Sequence, residues 1–385
     1  MTLRVYLDAI SATRPSQQAI LSMMPFFETY WANASSPHLM GQELYPEMEK
    51  SYRKIYEALK ANYDDVFVFT SSEAEAVNQV IFSVFEKLSK KEGKNHFVVS
   101  PLSQASTILA ITSLEDEGAS MKMAKASKHG YVTCDAIIDA LTPRTALVSL
   151  PGACALTGVI QPWQDIAKVC RERGILLHID FTHLIGKTLI EEDVRPDFIT
   201  FGGECFHAPV GTGGLFCRAP NSLSPLIYGQ DDHVRMRGGP LNMPYLVALG
   251  VAIEEAQNNL ELCCTEVARL RDAFEKTIIE SYPEAIAFFQ DEERLPTSSV
   301  IAFPGIRNEA LLFSLNQKGV FANMGGASFQ QIELLLAACS IELALGQCAL
   351  SFSFSKDTKE QDVKRAAEII VDCARKLRRL SFIPA

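Results

Sequence analysis

The sequence predicts an α/β fold built on an open, mainly parallel sheet, and three stretches carry that expectation. Between positions 174 and 217, short apolar runs bounded by Gly, Pro and Asp read as three strands, Gly174 to Asp180, Asp197 to Gly203 and Gly214 to Cys217, with polar residues at the strand ends. Val66-Phe67-Val68-Phe69-Thr70 reads as a buried strand feeding a helix on which Val77, Val80, Ile81, Val84, Phe85 and Leu88 share one apolar stripe. Ala146 to Leu150, a helix from Gln161 to Arg173 with Trp163, Ile166, Ala167 and Cys170 on one face, and Ile175 to Asp180 make a βαβ unit. Ligands of such sheets bind beyond the carboxyl ends of the strands, so Asp180 and the loop from Gly202 to Gly214 should face one pocket.

Composition narrows the partners. A chain of 385 residues, 48% hydrophobic and 21% charged, holds enough apolar mass for a large domain and a smaller one. We expect an N-terminal arm over 1–15, a large domain over 16–250 and a small α+β domain over 251–385, joined by a long helix from Leu246 to about Thr277. The net charge of −10 argues against nucleic acid, which requires a Lys/Arg-rich face. Asp8 interrupts the short apolar start, which is unlike a signal peptide, and Glu342 and Gly346 break the most apolar segment, so neither secretion nor a membrane span is expected. The ten cysteines are scattered without a CxxC, which predicts reduced, mostly buried thiols and a cytoplasmic protein, with no metal site.

Taken in order, several motifs resemble the aminotransferase class V family, specifically the cysteine desulfurases that carry pyridoxal phosphate. Tyr6-Leu7-Asp8 and Ser11-Ala12-Thr13-Arg14-Pro15 look like the family's opening, and Asn33-Ala34-Ser35-Ser36-Pro37-His38-Leu39-Met40-Gly41 is similar to its N-P-S-S-x-H-x-x-G run. Ser72 and Glu75 form a capping box at a strand-to-helix junction, an anion site by virtue of its free N–H groups and dipole. The resemblance makes Thr70-Ser71-Ser72-Glu73-Ala74-Glu75 the phosphate cup. His178-Ile179-Asp180-Phe181-Thr182-His183 is similar to H-x-D-x-x-Q, whose Asp pairs with the pyridinium nitrogen, and the 202–213 run is similar to the segment bearing the Schiff-base lysine. The resemblance implies the PLP-dependent transferase type I fold, a large domain with a mainly parallel seven-stranded sheet between helices and a smaller C-terminal α+β domain.

The departures fall on the chemistry. Cys205 stands in place of the lysine, Glu204 in place of the preceding His, Gln104 in place of the stacking His, and Glu73 enters the cup, where its carboxylate repels a phosphate. Pro240 replaces the phosphate-binding threonine of the Arg235 to Asn242 loop, Ser328 the desulfurase nucleophile and Ser351 the substrate arginine. Cys205 is open to three readings: a core thiol, a ligand contact, or a nucleophile. Lys187 reads as a surface residue.

The resemblance, with these departures, implies a catalytically degenerate desulfurase-like protein. No catalytic residue is expected at Cys205 or Ser328, and the pocket would be formed by Asp180, His183, Gln104, Ser71, Ser72 and Glu204, with Ser351 and Asn33 at the substrate positions. Pyridoxal phosphate is expected to be absent or held weakly and non-covalently. Asp180 and His183 retain the means to grip an aromatic cationic ring. The expected partner is a second copy or an active relative, acting in binding or regulation; a small-molecule ligand is compatible with this. The alternative is an active PLP-dependent desulfurase or lyase with relocated catalytic groups, serving sulfur transfer or iron–sulfur assembly.

Overall fold

The computed structural model describes residues 4–190, 195–229, 235–326 and 330–381. Among these residues twelve strands follow in order: β1 (Val5–Tyr6), β2 (Val66–Thr70), β3 (His96–Val99), β4 (Ser120–Met123), β5 (Thr145–Pro151), β6 (Leu176–Asp180), β7 (Phe198–Gly202), β8 (Gly213–Cys217), β9 (Ile286–Phe288), β10 (Ser298–Ala302), β11 (Val320–Phe321) and β12 (Ala349–Ser353). Seven form the main sheet in the order β2-β8-β7-β6-β5-β3-β4, with β8 antiparallel to both neighbours and every other pair parallel. The strands predicted around 66, 146, 175, 197 and 214 are all present; β4 was not foreseen. Its exposed, Lys-bearing sequence Ser-Met-Lys-Met lacks the apolar run of a central strand, as suits an edge.

The buried strands carry apolar residues on both faces because helices cover both. Phe67, Phe201 and Phe216 pack on one side with the helix Met243–Asn258, whereas Val68, Phe97, Val99 and Leu215 pack on the other with the helix Glu73–Val84. His178 lies wholly buried at the centre of the sheet. Its ring nitrogens meet Ser149 Oγ at 2.7 Å and Thr200 Oγ1 at 2.8 Å, and burial pushes its pKa down to about 3, so a neutral imidazole ties β5, β6 and β7 together.

The C-terminal residues build a second sheet, β12-β10-β9, beneath the helices Ala268–Ser281 and Glu360–Ser381. β1 joins this part of the molecule by pairing in parallel with β11, and Val5 and Leu7 enter its core. Beside the seam where the 158–160 loop meets residues 293–295, Arg294 forks onto Glu275 with contacts of 2.6 and 2.9 Å. Burial alone raises the Glu275 pKa, but the Arg294 bonds and charge outweigh it and hold the carboxyl below its usual range. Among the described residues no helix is long and apolar enough to cross a membrane. All ten cysteines are free and eight are buried.

Removing one partner of a buried fork leaves the other charged and unpaired. Arg294→Met should cost about 3–5 kcal/mol in urea unfolding, and adding Glu275→Met should recover most of that loss. Equal losses in the single and double variants would contradict this account.

Candidate functional site

The carboxyl ends of β2, β5, β6 and β7 converge with the start of β8 on one crevice, because six strands run in the same direction and β8 returns between two of them, β2 and β7. Close approach at the junction needs glycine: a Cβ on Gly213 would lie 2.6 Å from the Ser72 carbonyl carbon. At the end of β6, Asp180 Oδ1 accepts from Thr182 N at 2.9 Å and from its hydroxyl at 2.6 Å. The same hydroxyl accepts from Gly202 N at 3.0 Å, joining the ends of β6 and β7.

A cavity of about 280 Å³ opens here. Glu73, Gln104, His183, Glu204 and Cys205 line it, together with Ser11, Asn323 and Gln330 from the N- and C-terminal parts of the chain. Glu73 accepts from Ser106 Oγ at 2.7 Å. Gln104 Nε2 lies 3.0 Å from His183 Nε2 and its carbonyl accepts from Gln330. Asp180 is buried among these groups at 4% exposure. The retained aspartate and the substituted positions Gln104, Glu204 and Cys205 are therefore brought together.

Other predicted site residues are placed differently. Ser71 is exposed, and its N–H and hydroxyl both donate to Glu75 Oε2 at 2.8 and 2.6 Å. Ser72 Oγ accepts from Glu75 N at 3.2 Å, so the predicted capping box is half formed: the Glu75 carboxylate reaches Ser71 rather than the cap's own N–H. Asn33 lies in a turn, where Oδ1 accepts from Ser35 N, and His38 caps the following helix; neither lines the cavity. Ser351 sits on β12, 1% exposed, its hydroxyl donating to Leu156 O at 2.7 Å. Ser328 falls outside the described residues.

Lys187 corrects the sequence reading. It is 7% exposed rather than on the surface, and its Nζ donates to the Cys205 carbonyl at 3.0 Å. The signal was the apolar Phe181, Leu184 and Ile185 just ahead of Lys187, all of which are buried. The residues from the chain's two ends were also missed. Ile10 O accepts from Cys205 Sγ at 3.3 Å, and Thr13 donates twice to Glu204 O, contacts across more than 190 residues that periodicity does not encode.

The electrostatics are dominated by burial and like charge. Burial and then the Asp180 charge push Glu73 up to about 8. Burial pushes Asp180 up to about 6 against the Thr182 bonds, with Glu204 adding to it, and Glu204 is raised by burial as well. Burial holds the Cys205 thiol up to about 12 and the Lys187 amine below its usual value. His183 is pushed down to about 3 by burial and then by Lys187, and stays neutral.

A carboxyl group whose folded-state pKa lies above its unfolded value contributes stability that is full below the unfolded value and is lost as pH rises through the folded one. For Glu73 that window runs from 4.5 to about 8. The melting temperature should fall between about pH 5 and about pH 8.5, and Glu73→Gln should flatten the slope. A profile that rises through this interval in both proteins would refute the charge arrangement.

Comparison with known proteins agrees with this architecture. The family model described as Aminotransferase class-V matches residues 5–366. A cysteine desulfurase of Gluconacetobacter diazotrophicus is 32% identical over 98% of this chain and 95% of its own. The cysteine desulfurase NifS of Azotobacter vinelandii is 28% identical over 98% and 94%. A solved NifS-like protein superposes with a TM-score of 0.89 at 25% identity, covering 99% of this chain and all of that one. The open sheet with its carboxyl-end crevice is thus that of the NifS-like, PLP-dependent type I fold, and the chain belongs to the aminotransferase class V family, among its cysteine desulfurase-like members.

Proposed function

We propose that this chain is a catalytically degenerate cysteine desulfurase-like protein that works as a dimeric binding or regulatory protein. One observation carries the reading. The position of the family's Schiff-base lysine is Cys205, a buried thiol bonded to Ile10 O and held up to about 12, so at neutral pH it offers neither an amine nor a thiolate.

The residues present do not fit a phosphorylated cofactor. Glu73 puts a buried carboxyl group in the cup that repels a phosphate once it ionises, and the Ser71 donors are already engaged by Glu75. Glu204 adds a second carboxylate to the same cavity. The Ser351 hydroxyl is committed to Leu156 O, and a hydroxyl does not make the bidentate pair that an arginine makes with a carboxylate.

An active enzyme with relocated groups is the second reading, and Lys187 is what favours it. A buried amine held below its usual pKa is the form that condenses with a carbonyl. Against it, the Nζ is taken up by the Cys205 carbonyl, and Lys187 borders a separate space of about 40 Å³.

Support for self-association comes from the N-terminal region and the 235–242 loop. Phe27, Trp31 and Leu39 are 56%, 67% and 70% exposed, more apolar surface than an isolated chain usually leaves in one short stretch. Arg237 Nε meets Glu75 at 2.6 Å, which accounts for keeping an arginine in a loop that has lost its phosphate-binding hydroxyl. A symmetric interface gives that loop a use without catalysis.

Two outcomes are expected. The purified protein should be colourless, release no sulfide or alanine from L-cysteine, and acquire no pyridoxyl group when treated with borohydride and pyridoxal phosphate. Cys205→Lys should acquire one at that position. A pyridoxyl group on Lys187 of the unmodified chain would establish the second reading. Light scattering should give twice the 42.5 kDa of one chain, and Trp31→Glu should shift the mass toward one chain. A monomer at micromolar concentration that associates with no active relative would remove the dimer.

A further inference from the structure

The cavity beside Cys205 is electrostatically one-sided. Glu73 and Glu204 line it, and Asp180 acts on both sites from the end of β6. Asp8 approaches behind it, accepting from Asn323 Nδ2 at 2.8 Å and from Ser11 Oγ at 2.9 Å. No lysine or arginine is among the described lining residues. Lys187, the cation that acts on Glu204 and Cys205, has its ammonium on the Cys205 carbonyl.

Two buried polar atoms add independent information. Among the described residues Asp180 Oδ2 and His183 Nδ1 have no hydrogen-bond partner, although both side chains are only 4% exposed. Such groups occur where a ligand or water completes the bonding. They need opposite things: Asp180 Oδ2 needs a donor. Gln330 donates to the Gln104 carbonyl, so the Gln104 amide donates to His183 Nε2, and that assignment leaves the proton of the neutral imidazole on Nδ1. His183 therefore needs an acceptor. Ser103 Oγ, 2% exposed and also unpartnered, stands on the same wall.

We propose that this cavity binds a small hydroxylated organic cation, an ammonium or amidinium carrying a hydroxyl and no anionic group. Glu73 and Glu204 take its cationic end, with the Asp180 carboxyl acting on it from the end of β6, and His183 Nδ1–H donates to the hydroxyl. The volume admits a ligand of about ten non-hydrogen atoms. A bare metal ion suits the walls less well, because among the described residues no three His, Cys, Asp or Glu side chains converge as a metal shell. A phosphorylated or carboxylated ligand would meet the carboxylates directly. The inference deepens the non-catalytic reading of this pocket and rests on it.

Proton linkage adds a second signature. Glu73 and Asp180 titrate near 8 and 6, so the site gains negative charge as pH rises through that interval. Of the other groups facing them, Asp8 and Glu204 are raised as well, Cys205 is held near 12, and His183 is neutral. Lys187 is lowered, and any proton it loses as pH rises removes positive charge beside the site.

Calorimetry on the full chain tests the proposal with a matched series: 4-aminobutan-1-ol, neutral 1,4-butanediol, zwitterionic 4-aminobutanoate, and magnesium ion. The amino alcohol should bind at least about tenfold more tightly than either matched compound. Its affinity should rise about tenfold from about pH 6 to about pH 8.5. Glu73→Gln with Glu204→Gln should weaken it by about tenfold or more, while melting no lower than the parent because like-charge repulsion is relieved. His183→Phe should erase the advantage that the hydroxyl gives over 1-aminobutane. Absence of binding by the amino alcohol, binding indifferent to the double substitution, or tighter binding of magnesium would overturn the proposal. A borohydride-fixed pyridoxyl group would instead defeat the non-catalytic reading, so the two failures are told apart.

Discussion

The hydroxyl of Thr182 holds the site in place. It donates to Asp180 Oδ1 and accepts from Gly202 N, so one oxygen fixes the carboxylate and joins the ends of two adjacent strands. Because Oδ1 is also bound by the Thr182 N–H, the aspartate cannot swing to satisfy its second oxygen elsewhere. The strand ends, the direction of the buried carboxylate and the mouth of the crevice are therefore set by the same contacts. His178, two residues earlier, does the corresponding work inside the sheet as a neutral bridge between hydroxyls. Valine there would leave Ser149 and Thr200 without those bonds.

Around that anchor the charge is one-sided. Three carboxyl groups share a poorly solvated space, and each is pushed toward its protonated form. Proteins tolerate such clusters where protonation or a cationic partner relieves them. Lys187 gives partial relief through its effect on Glu204, but its hydrogen bond goes to a backbone carbonyl, so it also fastens the loop that carries Glu204 and Cys205. An ordinary surface lysine would do neither.

Much of the scaffold was legible because parallel strands buried on both faces leave continuous apolar runs, and six of the seven main-sheet strands announce themselves so. β4 does not, since an edge strand with exposed Lys122 and Met123 lacks that pattern. The crevice was foreseen from strand-end polarity. Its filling was not: Asn323, Gln330, Ser11 and Ile10 arrive from distant parts of the chain, and their meeting depends on how the C-terminal sheet docks. Gln161 shows the converse: its amide bonds Val132 N, Gly130 O and Val159 O, so this buried polar residue serves loop architecture rather than chemistry.

The parallel pairing of Val5–Tyr6 with Val320–Phe321 also orders events in time. During synthesis the first strand emerges from the ribosome with no partner, and its complement follows only after more than three hundred further residues. Until then its apolar residues, Val5 and the following Leu7, face solvent or a chaperone. Closure of a loop that long is slow and comes late, so the wall of the pocket is completed last, when both ends of the polypeptide are present. A nascent or truncated chain would display the main sheet with its carboxyl-end crevice still open.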